Sequence, residues 1–279
     1  MLVNLKEIIA MAEKDGYCIP AFNVYNLEST MGVIKAAEEA MAPVIIQVYP
    51  RLINEEIGYY LAPIILAAAK KASIPVCFHL DHGPSELEVQ KALRLGATGI
   101  MYDGSVHSFE ENIATTRHIV HICSAIDVGV EGELGHIGSV NDESMDEFTD
   151  PKEAADFVKR TGVCCLAVLI GNAHGHYKKT PSLDIDRIKS IREAANGIPL
   201  VLHGGSGIPN EQVRAAIAAG VRKMNVGTDV YCAFAEGTKE ILNDPNRSLA
   251  IDLFMKHPIE TVKKLALDKI ELCNANGKA

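Results

Sequence analysis

The chain has 279 residues, of which 48% are apolar and 23% charged, and its formal net charge is −9 at pH 7. These values are typical of a soluble globular protein with a large core. Nucleic acid is not an expected partner, because it requires a basic face and the sequence has no cluster of lysine and arginine. The acidic composition is compatible with a small anionic substrate, since a few local donors can bind one phosphate.

The sequence shows no targeting or membrane segment. Residues 1–16 predict a short amphipathic helix and lack the pattern of a signal peptide. Charged residues interrupt each apolar run before about 18 residues, so no membrane span is expected. The cysteines, seven in number, are scattered without a C-x-x-C pair, which favours thiols in a reducing compartment. We therefore expect a cytoplasmic protein.

Short apolar runs alternate with helical patterns along the chain, which indicates parallel βαβ units. The predicted strands are residues 18–22, 44–48, 76–80, 99–102, 127–131, 165–170, 200–203 and 223–226. The predicted helices between them are residues 27–41, 54–71, 85–95, 109–125, 151–160, 184–195 and 210–219. Strands with right-handed helical crossovers close most simply into an α/β fold of the (β/α)8 TIM-barrel type, and an open doubly wound sheet is the alternative.

Two segments stand outside this repeat. The connection at about 132–150 is rich in glycine, serine and acids without clear periodicity, which predicts a mobile lid, with a disordered excursion of no role as the alternative. Extra C-terminal helices are expected from about residue 231, with breaks at Pro245 and Pro258. We expect one barrel domain over residues 1–279.

Three histidines lie at the ends of apolar runs: His82, His174 and His203. A barrel brings the carboxyl ends of its strands to one rim, where these side chains would meet. Three neutral imidazoles with an open fourth position are a ligand set of catalytic zinc. A single histidine at a strand end is more often structural, but three together favour a metal site. His176 is a further ligand candidate beside His174.

Carboxylates accompany these histidines. Asp81 precedes His82 on a turn, where it can face the same site or cap the next helix. Asp103, Glu131 and Glu133 end the fourth and fifth strands, and they fit acceptors for the second histidine nitrogens or alternative ligands. Surface carboxylates without a role are the alternative for any one of them.

Glycine-rich turns follow the seventh and eighth strands. Residues 204–207 read GGSG, and residues 225–229 read NVGTD before a helix. Bare glycines and a helix N-terminus favour a bound anion, and barrels of this kind often bind phosphate at these two loops. Either turn alone would be ordinary, but the pair favours a phosphorylated ligand.

Taken together, these motifs resemble the class II, zinc-dependent ketose-bisphosphate aldolases. The most specific are HLDHG (79–83), YDGS (102–105), VEGELG (130–135), GNAHGHY (171–177), HGGSGIP (203–209) and NVGTD (225–229). The resemblance runs nearly end to end, from PAFNV (20–24) to the helices after Val226, and its style is closest to the tagatose-bisphosphate branch.

The resemblance implies roles for particular residues. His82, His174 and His203 resemble zinc ligands, Asp81 resembles the acid/base at the C4 hydroxyl, and Asn225 resembles the residue at the reacting carbons. Asp103 and Glu133 resemble carboxylates that support the ligands or bind a second metal. The residues expected to bind substrate, mainly the phosphate of dihydroxyacetone phosphate, are Gly175, Gly204, Gly205, Ser206, Gly227, Thr228 and Asn23. Relatives also imply a monovalent cation, Na⁺ or K⁺, and a homodimer or homotetramer.

Two stretches depart from the family pattern. The lid of relatives carries a Gly-Gly-Glu-Glu-Asp-like sequence with a proton-exchanging glutamate, whereas this chain has GSVNDE at 138–143. Asp142 or Glu143 is expected to take that role, and the alternative is that the step runs differently. Small residues after the second strand are replaced by Tyr49, Pro50 and Arg51. We expect Arg51 to bind the far phosphate or another anion, and Tyr49 and Pro50 to narrow the aldehyde side.

The expected activity is cleavage of a ketose 1,6-bisphosphate, of tagatose or fructose type, or of a related ketose 1-phosphate, to dihydroxyacetone phosphate and an aldehyde. A Schiff-base route is disfavoured because no lysine is expected at the ligand-bearing strand ends, Lys223 beginning its strand. A phosphate-binding isomerase or epimerase is one alternative. The others are a family member with an altered, non-phosphorylated or otherwise anionic, aldehyde acceptor and a non-catalytic member of the fold.

Overall fold

Parallel strands form a closed barrel in the computed structural model of the chain, which describes residues 1–138, 148–175, 177 and 180–279. Each strand pairs with the next along the chain, and the eighth pairs with the first. The strands are β1 (Ile19–Asn23), β2 (Val44–Val48), β3 (Val76–Gly83), β4 (Gly99–Tyr102), β5 (Gly129–Leu134), β6 (Cys165–Val168), β7 (Leu200–Leu202) and β8 (Val221–Val226). The predicted TIM barrel is confirmed, and the open sheet is excluded.

Helices connect the strands and cover the outside of the barrel. They are α1 (Leu5–Asp15), α2 (Leu27–Glu39), α3 (Pro50–Asn54), α4 (Glu56–Lys71), α5 (Glu86–Arg94), α6 (Phe109–Ser124), α7 (Pro151–Thr161), α8 (Ile185–Ala194), α9 (Asn210–Ala219), α10 (Thr228–Asn243), α11 (Ile251–Phe254) and α12 (Lys256–Leu272). The last three are the extra C-terminal helices, and α12 packs against α2 and α10. None of the helices in the described ranges is long and apolar enough to cross a membrane.

Local signals account for several helix ends. Asn4 caps α1 by accepting from the Glu7 backbone N–H, while the Glu7 side chain accepts from the Asn4 backbone. Ser108 caps α6 in the same way, through reciprocal hydrogen bonds with Glu111. Gly16 ends α1 at φ +71, a left-handed conformation that glycine adopts without steric cost.

The structure corrects several predicted boundaries. Asp127 has φ +56 and belongs to the preceding turn, so the fifth strand begins at Gly129 and runs to Leu134. The segment expected as a lid at 132–150 therefore begins inside β5, and residues 139–147 lie outside the described residues. The eighth strand begins at Val221, which places Lys223 inside the strand and not at its start.

The amino end of the barrel is closed by α1, which leaves the carboxyl end for a site. Leu5 at the start of α1 is fully buried, and its backbone N–H donates to the Thr98 carbonyl at 3.1 Å. A Cβ added at Gly99 or Gly129 would lie 2.9 Å or 3.0 Å from the Leu5 Cβ, so the small strand residues admit this plug. The open rim is where the predicted site residues end their strands.

Candidate active site and metal centre

The three predicted histidines converge at the carboxyl rim. The Nε2 atom of His82 lies 3.2 Å from Nε2 of His174 and 2.9 Å from Nδ1 of His203. A tetrahedral zinc ion with bonds of about 2.0–2.1 Å separates its nitrogen ligands by about 3.3 Å. These nitrogens therefore have the spacing of a three-histidine metal centre.

The second nitrogen of each ring has its own acceptor within hydrogen-bond distance. The pairs are His82 Nδ1 with Asp103 Oδ2 at 2.9 Å, His174 Nδ1 with the Ile137 carbonyl at 2.9 Å, and His203 Nε2 with Glu131 Oε1 at 2.8 Å. Such acceptors take the ring proton and fix the tautomer of a metal-binding histidine. The nitrogens left with lone pairs are the ones that converge, so the donor set fits a divalent cation.

An irregularity in β3 directs neighbouring residues to the same site. Regular strands send adjacent side chains to opposite faces. Here the β3–β4 register shifts between Leu80 and Gly83, and His82 has φ +50. As a result Asp81 and His82 both face the centre, with Asp81 Oδ1 3.9 Å from His82 Nε2.

Two side-chain amides hold the buried Asp81 carboxylate. Asn23 Nδ2 donates to Oδ2 at 2.8 Å, and Asn225 Nδ2 donates to Oδ1 at 2.9 Å. Burial by itself would raise the pKa of Asp81, but the charges of His82, His203 and Lys223 and the Asn23 hydrogen bond together outweigh burial, so the pKa lies below its ordinary value. Asp81 is therefore ionised at neutral pH, as a base requires.

The surroundings of His82 are strongly negative. Burial disfavours its charged form, but Asp81, Asp103 and Glu133 outweigh burial and raise the pKa of His82 to about 10. Burial and the charge of Asp103 raise the pKa of Glu133 to about 8. A site with these charges favours a bound cation.

Asp103 and Glu133 lie on the Nδ1 side of the His82 ring, whereas His174 and His203 lie on its Nε2 side. His82 Nδ1 is 3.7 Å from Glu133 Oε2, and these three residues form a second group whose ligand atoms lie within 4.8 Å of one another. Glu133 Oε2 is buried without a hydrogen-bond partner among the described residues. This group shares His82 with the three-histidine group but lies at the other ring nitrogen, Nδ1, and it has the composition of a second cation site.

A small pocket of about 70 Å³ opens beside the histidines. Its walls are Asn23, Asp81, His174, Gly175, Gly204, Ser206, Asn225, Gly227 and Thr228, which brings together most of the predicted substrate-binding residues. Gly204 has φ +63, and a Cβ there would lie 2.0 Å from the Ala173 carbonyl oxygen, so only glycine fits. Gly205, which the sequence predicts to bind substrate, does not line the pocket. Its N–H donates to the Asn225 carbonyl at 3.2 Å.

The N-terminus of α10 borders this pocket. Gly227 and Thr228 line it, and the first turn of a 16-residue helix offers backbone N–H groups without intrahelical partners. The Ser206 hydroxyl accepts from the Asp229 backbone N–H at 3.3 Å and ties the β7 loop to this helix. The helix after the GGSG turn, α9, contributes no wall. The pocket therefore has the character of an anion site.

A second cavity of about 470 Å³ adjoins the first and shares Asn23, Gly227 and Thr228 with it. Its other walls are Tyr25, Tyr49, Arg51 and Tyr231. The Tyr25 ring lies edge-on to both other tyrosine rings, each at a centroid distance of 6.1 Å. Tyr49 and Arg51 line this cavity, whereas Pro50 is not part of its wall and begins α3.

Sequence reasoning missed Tyr25, Tyr231 and Lys223. Lys223 is fully buried, with Nζ 2.9 Å from Glu131 Oε2 and 2.6 Å from Asn225 Oδ1. The signal was present, because Lys223 and Asn225 are two residues apart and share a strand face. Asp142, Glu143 and His176 lie outside the described residues.

Comparison with known proteins agrees with this fold and shows the family of the chain. Residues 3–278 match the family model described as fructose-bisphosphate aldolase class-II. A fructose-bisphosphate aldolase of Geobacillus stearothermophilus is 40% identical over 252 residues, which cover 88% of each chain. The crystal structure of the YdjI aldolase of Escherichia coli K12 superposes with a TM-score of 0.90 at 37% identity over 100% of both chains. A putative fructose-1,6-bisphosphate aldolase of Coccidioides immitis gives 0.87 at 30% identity, covering 99% and 97% of the chains.

The chain belongs to the class II fructose-bisphosphate aldolase family, and it is an aldolase, a carbon–carbon lyase. The family acts on phosphorylated sugars, which agrees with an anion pocket beside the histidines. This assignment favours aldol chemistry over the isomerase or epimerase alternative.

Proposed function

We propose that this aldolase is zinc-dependent and reversibly cleaves a ketose 1,6-bisphosphate, of tagatose or fructose type, or a related ketose 1-phosphate. The products are dihydroxyacetone phosphate and an aldehyde. The observation that carries the proposal is the convergence of His82 Nε2, His174 Nε2 and His203 Nδ1 within 4.8 Å, beside the ionised Asp81. These nitrogens would hold a zinc ion, which would supply Lewis-acid stabilisation of the charge that develops on the substrate as C3–C4 breaks.

Asp81 is the proposed acid/base. In cleavage it accepts the proton of the C4 hydroxyl, and in condensation it returns that proton to the aldehyde oxygen. Asn23 and Asn225 each donate one hydrogen bond to its carboxylate, at 2.8 Å and 2.9 Å, and so orient it toward the substrate. Proton transfer by a positioned group contributes typically about 10²–10⁴-fold in rate.

The ketose 1-phosphate is proposed to lie with its phosphate in the 70 Å³ pocket. Gly175, Gly204, Ser206, Gly227 and Thr228 hold it there, Ser206 and Thr228 with hydroxyls and the loops with backbone N–H groups. Gly205 supports the β7 loop through its bond to Asn225. A monovalent cation, Na⁺ or K⁺, near this phosphate and a second cation at the group formed by His82, Asp103 and Glu133 remain parts of the proposal.

The lid is proposed to follow β5, within residues 135–150 of a single barrel domain, 1–279. Asp142 or Glu143 would exchange the proton at the dihydroxyacetone carbon, because both acids follow the carboxyl rim in sequence. Individual Asn or Gln substitutions, assayed for exchange of the dihydroxyacetone phosphate proton with solvent, identify which acid does so.

The aldehyde half of the substrate is proposed to occupy the 470 Å³ cavity. Within the described ranges the Arg51 guanidinium contacts only Tyr49, by a hydrogen bond to the hydroxyl and by lying 5.1 Å from the ring centroid. Arg51 is therefore available to an anionic group at the far end of the sugar. Tyrosine hydroxyls and ring faces suit a hydroxylated carbon chain. The acceptor is accordingly a phosphorylated or otherwise anionic aldehyde.

One experiment tests both halves. Aldehyde release is measured in a coupled assay over ketose 1-phosphates that differ at C4 to C6, ending in phosphate, carboxylate or hydroxymethyl, before and after chelation. We expect chelator-sensitive cleavage and a KM that Arg51→Ala raises only for the anionic substrates. Activity that survives complete removal of metal contradicts the zinc proposal, and an unchanged KM for each cleaved substrate contradicts the role of Arg51.

Self-association as a homodimer or homotetramer is also proposed, with a cytoplasmic location. Its support is the segment from the end of α10 through α11, where Leu242, Leu249, Ile251 and Leu253 are all exposed, Leu249 to 77% and Ile251 to 71%. Exposed apolar runs of this kind mark interaction surfaces. Light scattering on the wild type and a Leu249→Ser/Ile251→Ser variant tests it, and a monomeric wild type refutes it.

A further inference from the structure

Lys223 lies at the centre of the barrel beneath the site. Its side chain is fully buried on β8, and its ammonium makes contacts on two sides. Nζ lies 2.9 Å from Glu131 Oε2 and donates to Asn225 Oδ1 at 2.6 Å. Lys223 is not among the walls of the pocket formed by Asp81 and Asn225, so it does not meet the substrate there.

The first contact leads to the metal centre. Glu131 is fully buried and uses its oxygens separately, Oε2 for Lys223 and Oε1 for His203 Nε2 at 2.8 Å. Without the ammonium this carboxylate would be a buried charge lacking a counter-ion, which is strongly unfavourable. Lys223 therefore maintains the acceptor that keeps the His203 proton on Nε2 and leaves Nδ1 facing His82.

The second contact leads to the acid/base. An ammonium has only donors, so the Asn225 amide must turn its oxygen toward Lys223. That orientation turns Nδ2 toward Asp81 Oδ1, to which it donates at 2.9 Å. The same amide nitrogen lies 3.3 Å from both His203 ring nitrogens, so the Asn225 amide also adjoins the histidine that Glu131 supports.

We propose that Lys223 is a positioning residue that orients both the metal-binding His203, through Glu131, and the acid/base Asp81, through Asn225. The inference rests on the proposed function of these two residues. It also gives the lysine a role other than Schiff-base formation, since its ammonium is bonded to Glu131 and Asn225 and does not line the pocket. One buried amine thereby links the geometry of the metal centre to that of proton transfer.

The test compares Lys223→Met with the double variant Lys223→Met/Glu131→Gln. In the single variant Glu131 is left unpaired, and we expect zinc affinity to fall about 10–100-fold, the usual cost of losing a group that supports a metal ligand. We expect kcat of the zinc-saturated variant to fall about 10²-fold, as for a misplaced catalytic group. KM should change little, because the phosphate pocket is intact.

The double variant separates the two branches. A neutral glutamine at position 131 still accepts from His203 without needing a counter-charge, so zinc affinity should return to within about threefold of wild type. The kcat value should stay low, because Asn225 still lacks its donor. Lys263→Met is the matched control: this α12 lysine pairs with Glu39 at 2.6 Å outside the site, and its loss should leave zinc affinity and kcat unchanged.

Zinc affinity is measured by competition with a chromophoric chelator, folding by circular dichroism, and the ligand environment by the visible spectrum of the Co²⁺ form. Wild-type zinc affinity and kcat in Lys223→Met would overturn the proposal. So would a double variant that regains both, since Lys223 would then only neutralise Glu131. If the single variant does not fold, the double variant decides alone by the same criterion. Failure of the proposed function looks different: wild-type protein would bind zinc and cleave no ketose phosphate.

Discussion

Substitution of Gly204 by alanine tests whether the spacing of the loops after β6 and β7 sets the metal centre. An alanine Cβ would lie 2.0 Å from the Ala173 carbonyl oxygen, and Ala173 directly precedes His174. The two loops are already clamped by Tyr177, whose hydroxyl accepts from the Ala173 N–H at 2.8 Å and donates to the Gly204 carbonyl at 3.2 Å. The added methyl group must push these loops apart.

The size of the effect follows from the geometry. Carbon–oxygen contacts begin at about 3.3 Å, so the Ala173 peptide must move by about 1 Å. Metal bonds tolerate about 0.2 Å, so His174 would leave the centre and zinc affinity should fall at least about 10²-fold. Left-handed strain at φ +63 adds about 1–2 kcal/mol, and the clash adds about 1–3 kcal/mol. At about 2–4 °C per kcal/mol, Tm should fall by at least about 4 °C.

Gly16→Ala is the matched control. Gly16 has φ +71, similar to Gly204, but nothing lies within 4 Å of an added Cβ. The Gly16→Ala variant should therefore be destabilised only by the left-handed backbone strain, and its zinc affinity should equal that of wild type. Both variants are compared by chelator competition and by thermal unfolding with and without zinc. If Gly204→Ala binds zinc like wild type and loses no more stability than Gly16→Ala, the contact between these loops does not position His174.

Three further outcomes are expected. Metal removal with dipicolinate should abolish cleavage and lower Tm, since zinc at about 1,000 times its Kd contributes about 4 kcal/mol; recovery with no added metal would contradict this. Asp81→Asn should lower kcat about 10²–10⁴-fold at unchanged zinc stoichiometry, and a normal rate in the coupled assay would remove Asp81 as the acid/base. Glu13→Gln should cost about 1 kcal/mol or less at pH 7, because Glu13 pairs with Arg192 at 2.7 Å and Arg222 at 3.0 Å. Burial would raise the pKa of Glu13, but the two arginines outweigh burial, and the pKa of Glu13 lies below its ordinary value. The stability difference between Glu13→Gln and wild type should therefore be fully present above the unfolded carboxyl pKa and vanish as the pH falls through the folded pKa. A difference in thermal unfolding that stays constant across about pH 3–7 would contradict this reasoning.

The barrel and its histidines could be predicted from the sequence because parallel strands bring their carboxyl ends together whatever their exact bounds. The exact ends of the strands could be predicted less well from the sequence. Asp127 is compatible with a strand start by pattern, and only its left-handed φ of +56 places it in the turn. Lys223 was misplaced because a charged residue argues against a buried strand, and its partner Glu131 is distant in sequence. Tyr25 and Tyr231 come together only through the closure of β8 against β1, which no local pattern reports.

The charges inside the barrel are better explained by function than by stability. Glu131 and Lys223 are fully buried and 2.9 Å apart. A buried ion pair is on average no more stabilising than apolar side chains of the same volume, because removing both charges from water offsets their attraction. Apolar residues would fill this layer equally well, as they do in most barrels of this type. Apolar side chains would leave His203 without an acceptor and Asn225 without a donor, and the proposed positioning role of Lys223 therefore explains why an ion pair occupies this layer.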